Sequence, residues 1–413
     1  MPTVQDLVYD CPLVRFAPSE VFFITPEAWK AIYGHGHAQL PKVLTSVSSM
    51  GDIISANDRD HSRHRKALAH AFSARGLQTQ EPLVKGYVDK LIERLKGFAE
   101  SQLPVDMVKW YNLTTFDLIG DLAFGTSFGG LDNSQYHFWV STIFDSVKVI
   151  PFVKIKDTYP VIIPLLMAFL PKHLRTARQF QDKYTKETVQ KRLANVAAQS
   201  RHMGGNASIL IIAGSETTAT LLSRVTYWLL RSPEALAKVT DEVRSAFQTE
   251  ADISLQDVVT RLPYMLACLD EAFRMYPPVP SGLQRRVLTS SIIAGYNIPP
   301  GTAVSVHQSA AYWSPTNFHR PRKYVPERWL PEAKSDPLSP YFSDQRDVLQ
   351  PFSVGPRNCI GRNLAYAEMR LILARILWNF DLELCEQSLD WNDQKSYVLW
   401  DKSALMCKIK LRT

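Results

Sequence analysis

The apolar positions of this chain fall into distinct textures. Near the amino terminus, Leu13–Phe16 and Val21–Ile24 are short apolar, partly β-branched runs separated by Ala-Pro-Ser, a turn signal, and they predict two short strands. From about Asp58 to Phe247 the chain reads as mostly helical, with apolar residues at spacings of three and four in segments such as Leu83–Phe98. Between Pro277 and Gly301 the pattern breaks into Pro, Gly and β-branched residues, which predicts further strands and turns. A last helix is expected from about Arg362 to Trp378, followed by a strand-like tail, Tyr397–Leu411. Punctuation sharpens two boundaries. Thr25 with Pro26 opens a helix that Gly34 can close, and Ser232-Pro233-Glu234 opens another before Ala235–Phe247.

No internal repeat and no linker divides the chain. The expected architecture is a single unit, residues 1–413, mainly α with a small β-sheet region (α+β), its sheet built from both ends of the chain. The longest apolar runs, Val161–Leu170 and Ile209–Ala213, fall short of the roughly 18 residues that a membrane-crossing helix needs. Val161–Leu170 suits either a buried core or a stretch dipping into a membrane surface. The amino terminus shows neither the positive nor the apolar region of a signal peptide.

Composition narrows the class. With 46% hydrophobic and 11% aromatic residues over 413 positions, the chain is globular and not disordered. The net charge of +7 is diffuse, and no nucleic-acid motif accompanies it, so no nucleic-acid partner is expected. It suits an acidic protein partner or an anionic membrane surface. Five cysteines, none in a CxxC pair, argue against a disulfide framework or a structural zinc site.

One of those cysteines stands apart. In Phe352-Ser-Val-Gly-Pro-Arg357-Asn-Cys359-Ile-Gly-Arg, the cysteine sits in a glycine-flanked loop just before an apolar helix. Glycines allow close approach of a flat ligand. The helix amino terminus and Arg357 favour a thiolate, which is a metal ligand. The alternative is that Cys359 is simply a small core residue. Glu271 and Arg274 share a helix face before Met-Tyr-Pro-Pro, and taken alone they are an ordinary pair worth about 0.3–0.5 kcal/mol. In Ile209–Thr220 (ILIIAGSETTAT), small residues interrupt an apolar helix before the acid–alcohol pair Glu216-Thr217. Such a pair suits proton transfer. The alternative is a buried helix whose threonines bond their own backbone. His61 and Arg65, four residues apart in a basic segment, share a helix face; a solvated basic face is the alternative, and it is the reading for Arg63 and Lys66. Asn112-Leu-Thr114 fits a glycosylation sequon.

Together these motifs resemble the cytochrome P450 family over nearly the whole chain, and AWKAIYG, HSRHRKALAHAFS, AGSETTAT and QPFSVGPRNCIGR most resemble its fungal secondary-metabolism members. FxxGxRxCxG resembles the haem-binding loop, Glu271-xx-Arg274 and Pro326-Glu-Arg328-Trp resemble the ExxR and PERW motifs, and AGSETT resembles the distal-helix motif. The resemblance implies that Cys359 is the thiolate ligand of heme b iron, which favours cleavage of the O–O bond. Phe352 would pack near its sulfur. Arg357, His61, Arg65 and either Arg285 or Arg286 would contact the haem propionates. Thr217 would contact dioxygen, Glu216 would feed protons, and Ala213 and Gly214 would face the oxygen and substrate cavity. Glu271, Arg274 and Arg328 would form a buried network.

The implied activity is a haem-thiolate monooxygenase acting on a lipophilic small molecule, with electrons from NADPH through NADPH–cytochrome P450 reductase. The implied location is intracellular, at the endoplasmic reticulum surface, with peripheral membrane contact and no anchor in this chain. Against the family pattern, Gly36–Ser55 and Glu187–Asn206 are short, and the usual amino-terminal membrane helix is missing. This leaves as alternatives an impaired haem-binding homologue from a truncated gene, or a haem-dependent isomerase or dehydratase.

Overall fold

Two strands open the fold, β1 (Leu13–Ala17) and β2 (Glu20–Phe23), and helix α1 (Pro26–Tyr33) follows directly. These features come from a computed structural model, which describes residues 11–43, 52–137 and 203–412 together with Val140, Lys148, Val153, Ile155 and Asp157. Helices α2 (Asp58–Leu68) and α3 (Ala74–Ser101) come next, then the two-residue strand β3 (Val105–Asp106) and helix α4 (Met107–Phe124). The helices α5 (Met203–Leu230), α6 (Pro233–Ala246) and α7 (Pro263–Met275) lead into strands β4 (Arg285–Arg286), β5 (Ser291–Ile293), β6 (Tyr296–Ile298) and β7 (Ala303–Val306). Helix α8 (Arg362–Asn379) runs without a break into β8 (Phe380–Leu384), and β9 (Lys395–Ser396), β10 (Trp400–Asp401) and β11 (Met406–Leu411) complete the tail.

In place of the expected single sheet from both ends, the described residues form four: two larger sheets and the two-stranded pairs β5-β6 and β9-β10. The amino-terminal hairpin joins β7 and β4 in the order β1-β2-β7-β4, with β2 and β7 parallel. The tail strand β11 pairs instead with β8 and β3. Burial explains the division. Val21, Phe22 and Phe23 are buried consecutively, as is all of β7, so both strands need cover on two faces. In β11, buried Cys407 and Ile409 alternate with exposed Lys408 and Lys410, a one-faced pattern that suits an antiparallel ladder against β8.

The caps also depart from expectation. Thr25 and Ser232 occupy the predicted positions, but neither side chain makes a capping hydrogen bond, and a proline in the first turn sets each start. Asn57 and Ser73 do cap, accepting from Asp60 N at 2.9 Å and Gly76 N at 3.0 Å.

Two apolar clusters form the interior. One joins α3, α4, α5, α6, α7 and α8. The other lies between α1 and the β1-β2-β7-β4 sheet. Ile209–Ala213 lies in α5, where Ile211 is fully buried in the helical cluster. Asn112 and Thr114 are buried inside α4, which removes the sequon from any surface. Among the described residues, no helix is long and apolar enough to cross a membrane. Val161–Leu170, residues 44–51 and residues 187–202 lie outside the described residues.

Candidate active site

The cysteine loop is held from two sides. Gly355 adopts φ +77°, and a Cβ there would lie 1.7 Å from the carbonyl oxygen of Tyr33, so only glycine lets the loop lie against the end of α1. The Cys359 N–H donates to the Phe352 carbonyl at 2.9 Å, closing the loop. The Phe352 ring packs on Phe273 of α7 and Tyr366 of α8, at centroid distances of 5.4 and 4.9 Å. Cys359 is exposed, yet protein atoms crowd its surroundings. Burial therefore dominates and pushes the thiol pKa up, opposed by the N–H groups of Gly361 and Arg362 and the charges of Arg65 and Arg362.

Cations gather beside this loop. Arg65 donates to the Asn358 carbonyl at 2.7 Å and to its side chain, which ties α2 to the loop. Arg357 donates to the Ala56 carbonyl at 2.9 Å and to Asp58 at 2.6 Å, yet its Nη1 is buried without a partner. The pleat gives the two strand arginines different surroundings. Arg285 is buried under Tyr33 with Nε unpartnered, whereas Arg286 is exposed and donates to the Gly301 carbonyl.

Burial and neighbouring like charges both act on the titratable groups here. Burial, then Arg357, Lys42 and Arg65, bring His61 down to about 4. Burial, then Arg285 and Arg357, bring Lys42 down to about 7. Lys42 was not singled out from the sequence, since it lies in a short loop with no motif around it. A cleft of about 500 Å³ lies against His61, Arg65, Lys66 and Arg357. An anion would relieve this excess of positive charge.

Helix α5 presents a different partner on each face. Ala213 is exposed in the middle of an apolar helix, and Thr217, one turn on, is half-buried. The Thr217 hydroxyl donates to the Ala213 carbonyl. Gly214 does not face that space, because a Cβ there would lie 3.1 Å from Ile119 of α4; its small size allows the two helices to pack. Thr218 lies beside Glu368 of α8, a carboxyl that burial pushes well above its ordinary range. Glu216 turns to a further face, where Lys402 of the tail donates to it and also to Thr220 at 2.7 Å. Glu216 and Thr217 are adjacent in sequence but about 100° apart around the helix, and no hydrogen bond joins them.

Behind the loop, Glu271 accepts from Arg274 through two hydrogen bonds of 2.8 Å and from Arg328 Nε at 3.2 Å, all three side chains being fully buried. Trp329 and Val325 N add further donations at 2.9 Å each. Asp344 also receives Arg328, a partner that its sequence surroundings did not mark.

Comparison with known proteins places this geometry. The family profile described as Cytochrome P450 matches residues 5–211 and 199–408. A protein named Cytochrome P450 monooxygenase olcB, from Penicillium canescens, is 55% identical over 97% of this chain and 86% of its own length. Trichothecene C-4 hydroxylase from Trichoderma arundinaceum is 53% identical over 96% of this chain and 84% of its own length. Trichothecene C-15 hydroxylase from Fusarium sporotrichioides is 42% identical over 95% and 84%, respectively.

Proposed function

The chain belongs to the cytochrome P450 family and is a monooxygenase of the kind found in fungal secondary metabolism, and we propose that it hydroxylates a lipophilic small molecule with electrons from NADPH delivered by a reductase. The balance is R–H + O2 + 2 electrons + 2 protons → R–OH + water. We read residues 1–413 as one haem domain, working at the endoplasmic reticulum surface as family members do.

Family membership implies haem iron, and the residues present fit that group. Cys359 would hold the iron, and Arg65, Arg285, Arg357 and His61 would hold the propionates. The observation that carries this reading is the exposed Cys359 at the start of α8, next to a cluster of cations that includes the buried, unpartnered Arg357 Nη1 and Arg285 Nε. Haem bound through a thiolate supplies the activation of dioxygen. Binding would lower the thiol pKa, because the metal takes the anion and the Gly361 and Arg362 N–H groups already favour it. Phe273, Phe352 and Tyr366 pack edge-to-face and tilted against one another, an apolar wall behind the loop.

On α5, the Thr217 hydroxyl donates its hydrogen bond to the Ala213 carbonyl, so its oxygen is left to accept a hydrogen bond from a protonated group on the open face. Glu216 is the carrier that would bring protons from solvent. The test is Cys359→Ala. Its carbon-monoxide complex, after reduction, is expected to lose the absorption band of thiolate-bound haem. Retention of that band would overturn the assignment.

A further inference from the structure

Two neighbouring residues of the tail hold two ion pairs in very different surroundings. Asp401 pairs with Lys148 at 2.9 Å, with 38% and 39% of the two side chains exposed. The next residue, Lys402, pairs with Glu216, and here only 3% and 6% are exposed. A cavity of about 300 Å³ connects the two pairs, with Asp106, Asn112 and Tyr136 completing its polar wall. Two buried acceptors on this wall, Glu216 Oε2 and Asn112 Oδ1, have no donor among the described residues. The space has room for several waters, and such acceptors are the groups that buried water satisfies. The loop is anchored from below: the Trp400 ring stacks on Tyr276 at 4.0 Å, and its Nε1 donates to the Pro277 carbonyl at 2.8 Å.

We propose that Lys402 is the positioning residue for the proton carrier Glu216, holding its carboxylate at the inner end of a water-filled entry whose mouth is the Lys148–Asp401 pair. The inference rests on Glu216 carrying protons to the Thr217 face. A proton drawn from bulk solvent through cavity water forms an O–H bond on Glu216. The neutral carboxyl then loses its hold on Lys402, which keeps Thr220 as a partner. Freed in this way, the carboxyl turns around the helix to the open face and gives the proton up there. Each transfer balances: the O–H bond of the protonated cavity water breaks as that of Glu216 forms, and the Glu216 O–H bond then breaks as the proton passes to its acceptor on the open face, which returns the carboxylate to Lys402.

The charges around Glu216 define the direction of the test. Burial pushes its carboxyl up and Lys402 pulls it down, while Asp401 pushes it up again. Asp106, Tyr136 and Lys148 also line the cavity, and Tyr276 senses the Glu216 charge from the end of α7. Removing the Lys402 cation leaves only the Thr220 hydrogen bond against burial and Asp401, so Glu216 stays protonated to higher pH.

The experiment compares the parent holoprotein with Lys402→Met, Lys402→Gln, Lys402→Arg and Glu216→Gln. One readout is the protonated-carboxyl C=O band in difference infrared spectra across a pH series, identified as the band missing in Glu216→Gln. The other is product formed per NADPH over the same series. In Lys402→Met and Lys402→Gln the band is expected to persist at a pH where the parent has lost it, and the coupling profile to move the same way. Lys402→Arg is expected to behave as the parent. Lys402→Met in a Glu216→Gln background is expected to change neither readout further. If both charge-removing variants match the parent in band and profile, Lys402 does not set Glu216 and the inference falls, with the proton role of Glu216 intact. If Glu216→Gln forms as much product per NADPH as the parent, the role of Glu216 falls and the inference with it.

Discussion

At the scale of single residues, the site depends on what surrounds each group more than on its identity. Cys359 is one of five cysteines. Cys268, Cys385 and Cys407 are buried in packed surroundings, and burial pushes the Cys268 and Cys407 thiols up; Cys359 is instead exposed and meets the N–H groups at the start of α8. Thr217 is set by one hydrogen bond. Because its proton is committed to Ala213, its oxygen acts as an acceptor, and Thr217→Ala removes that acceptor without disturbing a buried contact. Haem content is expected to remain that of the parent, while product per NADPH falls about tenfold or more and peroxide rises to match. Thr217→Ser restores coupling. Simultaneous assay of NADPH, peroxide and product decides it, and full coupling in Thr217→Ala would remove the residue from the mechanism.

At the scale of elements, the long helix α5 works by dividing its faces among partners, and α7 works by closing a charge network behind the loop. Glu271 satisfies two buried arginines at once, so the network resists partial removal. Glu271→Gln leaves Arg274 and Arg328 buried with too little negative charge, and a loss of about 3–5 kcal/mol is expected. Asp344→Asn is expected to be milder, because Arg328 keeps Glu271 and the His319 carbonyl. Denaturant midpoints of the haem-loaded proteins measure both. Equal midpoints for Glu271→Gln and the parent would show that the network does not hold the fold. The pair looked ordinary in sequence because i,i+3 spacing places two residues on one face but says nothing of what covers that face.

At the scale of the whole molecule, the net charge of +7 acquires a location. The contact between Arg65 and Asn358 brings α2 against the cysteine loop, so exposed Lys66 and Arg362 lie on one side of the molecule. Arg63, also exposed, is already paired with Asp60 at 3.1 Å, which makes Lys66 the better probe. Lys66→Glu is expected to slow reductase-driven reduction at low salt, with the difference shrinking as the screening length falls to about 8 Å at physiological ionic strength. Substrate affinity, read from the spin-state spectrum, is expected to stay the same. Equal reduction rates across the salt series would exclude this face as the docking surface.

The sequence by itself determined what depends on local spacing. The glycine-flanked loop of Cys359, the adjacency of Glu216 and Thr217, the shared face of His61 and Arg65, and the starts of α1 and α6 are all short-range facts, and they were legible because a few residues carry them. Tertiary structure decided what depends on segments far apart in the chain. It turned Glu216 away from Thr217 and towards Lys402, set Gly214 against Ile119, brought Lys42 to the cation cluster and Asp344 to Arg328, and buried Arg285 while leaving Arg286 exposed. It also sent β2 to β7 and β11 to β8, where the pattern alone allowed one sheet. The physical reason is the same in each case. Periodicity tells a residue which face of its own element it occupies, but burial, charge and desolvation act through the neighbour across the gap, and that neighbour is chosen by the packing of the whole chain.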